Sequence, residues 1–166
     1  MLRVDHAGEL AAVHIYRGQR AVLSRAPGRE RIAEQLTEME GHEAVHLARF
    51  DALLTERGVR PTLLAPVWRA VGYVLGAGTA LLGERAAHAC TESVETVIGG
   101  HYAEQVEEVR DREPALAVEL ARFRDEELEH LDTAVAEGAR EAPGYRALSA
   151  VIKAGCRAAI KISEKI

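Results

Sequence analysis

Apolar positions along the chain recur with the spacing of an α-helix, in steps of three and four residues. The clearest stripe comprises Leu36, Met39, Glu43, His46, Phe50 and Leu53, which share one helical face. A second stripe of the same kind comprises Leu116, Leu120, Phe123, Glu127, His130 and Ala134. In each stripe a glutamate and a histidine, three residues apart, interrupt a series that is otherwise apolar.

Proline and glycine punctuate the chain between stretches of helical period, and we predict six helices. The breaks fall at Pro27-Gly28, at Gly58 with Pro61, at Pro114 and at Pro143-Gly144. We expect helices near residues 2–24, 29–57, 62–83, 84–111, 114–138 and 145–164. Ala, Leu, Glu and Arg all favour helices, and no segment alternates with strand period for long enough to compete. The pattern predicts an all-α chain forming a single domain over residues 1–166.

The first and fourth predicted helices each carry one glutamate within an apolar stripe. These stripes comprise Leu2, Glu9, Val13, Tyr16 and Leu23, and Thr91, Glu95, Ile98, Tyr102 and Val109. Glu9 and Glu95 lie 86 residues apart, while Glu43 and Glu127, like His46 and His130, lie 84 apart. The near-equal spacing indicates a duplicated helix pair.

Composition narrows the function classes. The chain has 166 residues, 48% of them hydrophobic and 4% aromatic, with a formal net charge of −5. This balance argues against disorder and gives no basic footprint for nucleic acid, so we expect no nucleic-acid partner. Cys90 and Cys156 are too few for a disulfide framework, and Cys90 is expected to be a small core residue. The first residues show no basic leader followed by an apolar stretch, so we expect a cytosolic protein.

Six stripe residues form the candidate chemistry. One Glu-x-x-His pair is weak evidence for a metal site, because 21 glutamates and seven histidines give about one such pair by chance. Here two pairs occur on apolar stripes, and each is preceded by a helix with one glutamate in its stripe, which is more specific. A carboxylate in a helical core costs several kcal/mol unless paired, and no Arg or Lys is evident on these stripes. Two divalent irons would neutralise four carboxylates, with neutral imidazoles as further ligands. The expected ligands are Glu9, Glu43, His46, Glu95, Glu127 and His130.

This donor set is the established pattern of ferritin-like di-iron carboxylate bundles. We therefore expect a ferritin-like four-helix bundle with two additional helices. The remaining glutamates near the stripes, Glu40, Glu92, Glu126 and Glu129, are expected to be solvated or to contact the metal ligands without binding the metals themselves. His6, His14, His42 and His88 lack a glutamate at the required spacing and are expected to be structural or exposed.

Several segments resemble the demethoxyubiquinone hydroxylases of ubiquinone biosynthesis. They are Asp5–Glu9, Ile15–Gln19, Arg60–Thr62, Leu75–Gly83, Ala89–Thr91, His101–Tyr102, Arg124–His130 and Ala154–Arg157. The resemblance implies the same six iron ligands and a monooxygenase that hydroxylates the ring of a long-tailed quinone with O2. Lys161 lies where the family has an aromatic residue near the quinone site. This difference puts in doubt the part that the last helix has in binding the quinone head group.

The source of electrons is open in the sequence. Gly76, Gly78 and Gly83 do not form a dinucleotide-binding turn between a strand and a helix, so we expect NADH bound in another way or a partner reductase. His101 and Tyr102 are expected to relay protons or electrons beside the irons. The alternative is a packing tyrosine with a hydrogen-bonding histidine.

Two segments are candidates for a membrane surface. Residues 70–83 carry no charge but are too short to span a bilayer, and a buried core helix is the alternative. Gly72 and Gly76 would let another helix approach closely. The last helix places Lys153, Arg157 and Lys161 opposite an apolar face of Leu148, Ile152, Ala159 and Ile162. The resemblance favours peripheral docking, here at the cytoplasmic face of the cell membrane.

Two other functions remain open. A ferritin-like ferroxidase or peroxidase would use the same carboxylates without a quinone or a membrane, and a non-enzymatic helical membrane adaptor would need no metal. The sequence also leaves open a homo-oligomer and an accessory lipid-binding protein that presents the substrate.

Overall fold

The computed structural model describes residues 1–25 and 28–165. Within them lie six α-helices: α1 (Leu2–Leu23), α2 (Glu30–Glu56), α3 (Ala65–Leu81), α4 (Glu84–Val109), α5 (Pro114–Ala136) and α6 (Tyr145–Ser163). A single 3-10 turn, Ala139–Glu141, was not expected from the sequence. No strand occurs in this part of the chain. The all-α prediction is confirmed, and the element order is consistent with a ferritin-like helical bundle.

The helix ends fall within three residues of the predicted ones, and the largest differences have local causes. Helix α3 begins at Ala65 rather than at residue 62, because the Leu64 amide donates to Thr62 Oγ1 at 3.2 Å and closes a turn first. Gly83, at φ 114°, makes the turn into α4 in a conformation that only glycine adopts readily. Pro114 begins α5, where its missing amide is not needed. Pro27, a predicted break, lies outside the described residues.

The chain divides into two compact units. The first unit comprises Met1–Ala87 and the end of α6 from Ala158, and the second comprises His88–Arg157. The unit boundaries fall inside α4 and α6. A single domain over residues 1–166 stays a prediction.

In the first unit, α1 packs against both α2 and α3. The α1–α2 side has a core of Tyr16, Leu23, Ile32, Leu36 and Met39, joined by Ala80 and Ala87. The α1–α3 side is a close backbone contact, since a Cβ on Gly72 would lie 2.5 Å from the Ala11 carbonyl oxygen and one on Gly76 would overlap that of Ile15. The prediction that Gly72 and Gly76 admit a neighbouring helix is confirmed. Gly18 of α1 does the same against Tyr73 and was not foreseen.

The opposite face of α3 is exposed and apolar. Exposed side chains along it and its ends are Leu63, Val67, Val71, Tyr73, Val74, Leu81 and Leu82. The alternative of a core helix is therefore wrong for this face, because only the small residues of α3 are buried. None of the helices in the described part of the chain combines the length and apolar character that crossing a membrane requires.

The second unit has a core of small residues between its helices. Ala89, Ala134, Ala139 and Ala142 are buried together, with Tyr145 and Leu148 packed against them. Helices α4 and α6 are also joined by polar contacts. Ser93 Oγ donates to Ser149 Oγ at 2.9 Å, and Lys153 Nζ donates to Glu92 Oε1 at 3.3 Å.

Candidate metal centre

The first unit brings together three of the six predicted ligands. Glu9 comes from α1, and Glu43 and His46 come from successive turns of one face of α2. His46 Nδ1 lies 3.3 Å from Glu9 Oε2 and 4.0 Å from Glu43 Oε2. One ligand atom from each of the three lies within 4.8 Å of the others. We call this group the first triad.

The second unit repeats this arrangement. Glu95 comes from α4, and Glu127 and His130 come from α5. His130 Nδ1 lies 3.3 Å from Glu127 Oε2, and the three residues again offer ligand atoms within 4.8 Å of one another. We call this group the second triad. Each unit thus carries one glutamate and one Glu-x-x-His pair, as the near-equal spacing in the sequence suggested.

The donor chemistry of each triad fits iron. All six side chains are at most 3% exposed, so they lie out of reach of bulk water. Two buried carboxylates within 4.8 Å of one another repel unless a cation lies between them. A protonated imidazole neutralises one negative charge, whereas a divalent ion neutralises two. Carboxylate oxygens with an imidazole nitrogen form a donor set that iron accepts readily.

The other glutamates near the stripes have different surroundings. Glu129 is exposed, as expected, and Glu126 pairs with Arg122 at 2.9 Å. Glu40 receives Arg17 at 2.8 Å and Arg20 at 3.0 Å across the α1–α2 contact. Glu92 is not solvated: it is buried and held by Lys153. Its position one turn from Glu95 did not reveal this partner, which lies 61 residues away in the chain.

Tyr102 and His101 follow Glu95 along α4. Tyr102 is buried, with its ring centroid 6.3 Å from that of Phe123. His101 is half-buried, and Gln105 Nε2 donates to its Nε2 at 2.8 Å. Gln105 was missed from the sequence, although its place one turn after His101 on the same face is a usable signal. A relay function for Tyr102 and His101 stays a prediction.

Two of the remaining histidines have structural contacts. His6 Nε2 lies 3.0 Å from Asp51 Oδ1, and His14 Nδ1 donates to the Leu10 carbonyl at 2.8 Å. Both agree with the expectation that they are structural.

The two cysteines lie in the second unit. Cys90 is fully buried, as predicted. Burial, together with the nearby Glu95 carboxylate, raises the pKa of the Cys156 thiol to about 11. Cys156 is therefore a neutral thiol at physiological pH, unsuited to act as a thiolate.

Comparison with known proteins identifies the family of this chain. Residues 1–163 match the family described as ubiquinone biosynthesis protein COQ7. A 3-demethoxyubiquinol 3-hydroxylase of Rhodospirillum rubrum is 51% identical over 165 residues, covering 99% of this chain and 76% of that protein. The mitochondrial NADPH-dependent 3-demethoxyubiquinone 3-hydroxylase of Homo sapiens is 45% identical, covering 100% and 76%. The 5-demethoxyubiquinone hydroxylase of Saccharomyces cerevisiae is 41% identical, covering 100% and 77%. The chain therefore belongs to the ubiquinone biosynthesis protein COQ7 family.

Proposed function

We propose that this protein is a monooxygenase that uses O2 to hydroxylate the ring of a demethoxyubiquinone-type quinone during ubiquinone biosynthesis. The observation that carries the proposal is the pair of buried triads, each with two carboxylates and one imidazole. The relatives are named for hydroxylation of demethoxyubiquinone or demethoxyubiquinol, which supports the choice of substrate class. An adaptor function would not require six buried ligand-type side chains.

Two iron ions are the proposed cofactors, held by the six side chains of the two triads: Glu9, Glu43, His46, Glu95, Glu127 and His130. When bound and reduced, the irons would supply the activation of O2. The four carboxylates balance the charge of the metals, and the imidazoles add neutral nitrogen ligands. The burial of all six keeps water from the reacting groups, so that oxygen reaches the ring rather than being lost to side reactions.

Two electrons per turnover have to come from outside the chain. We propose NADH, or a partner reductase, as their source. The names of the relatives do not agree on the donor: the human protein is named as NADPH-dependent, and the name of the yeast protein gives no donor. Tyr102 and His101 are proposed to pass protons or electrons to the centre. The phenol and the imidazole both exchange protons readily, and the hydrogen bond from Gln105 fixes the ring of His101.

A quinone with an isoprenoid tail partitions into lipid, so the enzyme has to meet it at a membrane. We propose that the protein docks peripherally at the cytoplasmic face of the cell membrane. The exposed apolar face of α3 supports this, with Val67, Val71 and Val74 all facing outward. The exposed Arg157 and Lys161 of α6 add positive charge suited to an anionic surface. A homo-oligomer or an accessory lipid-binding protein stays open.

The decisive test is turnover of the purified, iron-loaded protein with a demethoxyquinone, O2 and NADH, read by mass spectrometry as quinone gaining one oxygen atom. Glu95→Ala and Glu127→Ala are expected to abolish both iron binding and product. Glu129→Ala, two residues after Glu127 and on the exposed side of α5, is the matched control and is expected to keep both iron binding and product.

Three results would contradict the proposal. Full iron content with normal turnover in Glu95→Ala or Glu127→Ala would refute the ligand assignment. Oxygen consumption without hydroxylated quinone would favour the ferroxidase or peroxidase. A protein that folds without iron and is unaffected by a chelator would favour the adaptor.

A further inference from the structure

Thr91 carries a buried hydroxyl that the proposed chemistry leaves unused. Its side chain is 1% exposed, and its Oγ1 has no hydrogen-bond partner among the described residues. Thr91 lies on α4 four residues before Glu95, on the same face of the helix. Because helical side chains lean toward the N-terminus, the long side chain of Glu95 extends over the turn that contains Thr91. Thr91 therefore lies one helical turn from a proposed metal ligand, on the same face of α4.

Five other hydroxyl side chains in the described helices behave differently. Thr37, Thr55, Thr79, Ser93 and Thr96 each donate to the carbonyl four residues earlier, over 2.6 to 2.9 Å. This is the usual way in which a helical Ser or Thr satisfies its hydroxyl. For Thr91 the corresponding acceptor is the carbonyl of Ala87.

That acceptor is already occupied. The side chain of Gln19 is fully buried, and its Nε2 donates to the Ala87 carbonyl at 3.0 Å. A carbonyl oxygen has two lone pairs. In α4 one of them accepts the helical amide of Thr91, and Gln19 takes the other. Gln19 thus stands where the Thr91 hydroxyl would otherwise bond.

We propose that Gln19 keeps the Thr91 hydroxyl available to hydrogen bond a small ligand, such as water or a small anion, at the metal centre held by Glu95. The inference rests on the proposed function, since it requires iron at the second triad. Thr91 is then a direct contact of that ligand, and Gln19 is a positioning residue that acts through the Ala87 carbonyl. A buried hydroxyl with its usual acceptor blocked gains its missing hydrogen bond in this way.

Azide titration of the iron-loaded protein, followed by absorbance, tests the inference without turnover. Thr91→Val keeps the shape of the side chain and removes the hydroxyl, so azide should bind about fivefold more weakly, the loss of one net hydrogen bond. Thr91→Ser should stay near the wild-type affinity. Thr96→Val is the matched control, because its hydroxyl is satisfied by the Glu92 carbonyl, and it should leave azide affinity unchanged.

Gln19→Met provides an independent arm. It frees the Ala87 carbonyl, so that Thr91 can bond backward, and it should weaken azide binding as Thr91→Val does. The double variant should be no weaker than either single one. This arm also serves if Thr91→Val does not fold.

The outcomes separate the two hypotheses. If the wild-type protein takes up no iron, the proposed function fails and this inference with it. If it takes up two irons per chain and Thr91→Val or Gln19→Met binds azide as tightly as the wild type, the inference alone is overturned. Equal weakening in Thr96→Val would also overturn it, because the effect would then not depend on the free hydroxyl.

Discussion

Replacing Gly76 with alanine tests the packing of α3 against α1. A Cβ at this position would overlap the carbonyl oxygen of Ile15 and lie 2.8 Å from its carbonyl carbon and 2.9 Å from its Cα. All three atoms belong to the backbone of α1, so no rotamer change can make room. The two helices have to separate, and the neighbouring contact of Gly72 with Ala11 is strained or lost with them.

The magnitude follows from two opposing effects. Forcing extra atoms into a packed contact costs about 1–3 kcal/mol, and a backbone neighbour puts Gly76→Ala at the upper end of that range. Alanine recovers about 1 kcal/mol through its better helix propensity. The free energy of unfolding should therefore fall by about 2 kcal/mol. For a chain of this size the unfolding temperature should fall by about 4–8 °C.

Urea denaturation followed by circular dichroism measures the change, with all variants in the same metal state. Gly78→Ala is the matched control: it lies two residues further along the same helix, and a Cβ there meets nothing within 4 Å. This control should be neutral or stabilised by about 1 kcal/mol. If Gly76→Ala were as stable as Gly78→Ala, the close α1–α3 contact would be wrong.

Three further predictions concern charge, ionisation and the exposed face of α3. Lys153→Met leaves the buried Glu92 carboxylate without its ammonium partner and should lower the free energy of unfolding by about 2 kcal/mol. Adding Glu92→Met should restore most of this loss, and a double variant as unstable as the single one would contradict the prediction. Because the pKa of Cys156 is raised from 9.0 to about 11, the contribution of its neutral thiol to stability should be complete below pH 9 and lost as the pH rises to about 11. The free energies of unfolding of the wild type and Cys156→Ala, measured by urea titration, should converge over that range, and a constant difference would refute the shift. Val74→Glu should weaken sedimentation with anionic phospholipid vesicles about tenfold, while Val118→Glu, equally exposed on α5, should not, and equal effects would argue against docking through α3.

The sequence was sufficient where chemistry and periodicity act locally. Glu43 and His46 share a helical face because three residues make nearly one turn, so their approach does not depend on tertiary packing. A charged residue in an apolar stripe has to be buried when the stripe is, and Glu9 and Glu95 followed from that rule. The start of α5 was predictable for the same reason, since Pro114 acts on its own segment.

The features that could not be predicted from the sequence depend on contacts between residues far apart in the chain. Gly18 is needed because the carbonyl of Tyr73 lies against it, and nothing in the spacing around Gly18 identifies that neighbour. Lys153 and Glu92 are 61 residues apart, and each taken alone looks like a solvated charge. The exposure of the outer face of α3 was also not predictable, because a stretch of apolar residues has the same sequence pattern whether that face contacts protein, lipid or water.

Gln19 shows why contacts between residues far apart in the chain matter for inferring function. By composition it is an ordinary polar residue of α1, yet its amide occupies a backbone acceptor of α4 and so changes what the hydroxyl one turn later can do. The four glutamates of the two triads stand out in the sequence because each buried carboxylate needs a countercharge. At the proposed metal centre, the hydrogen bonds to a small ligand depend instead on which backbone acceptors other helices have already taken. On the proposed arrangement, a residue such as Gln19 changes how the centre holds a small ligand without touching that ligand.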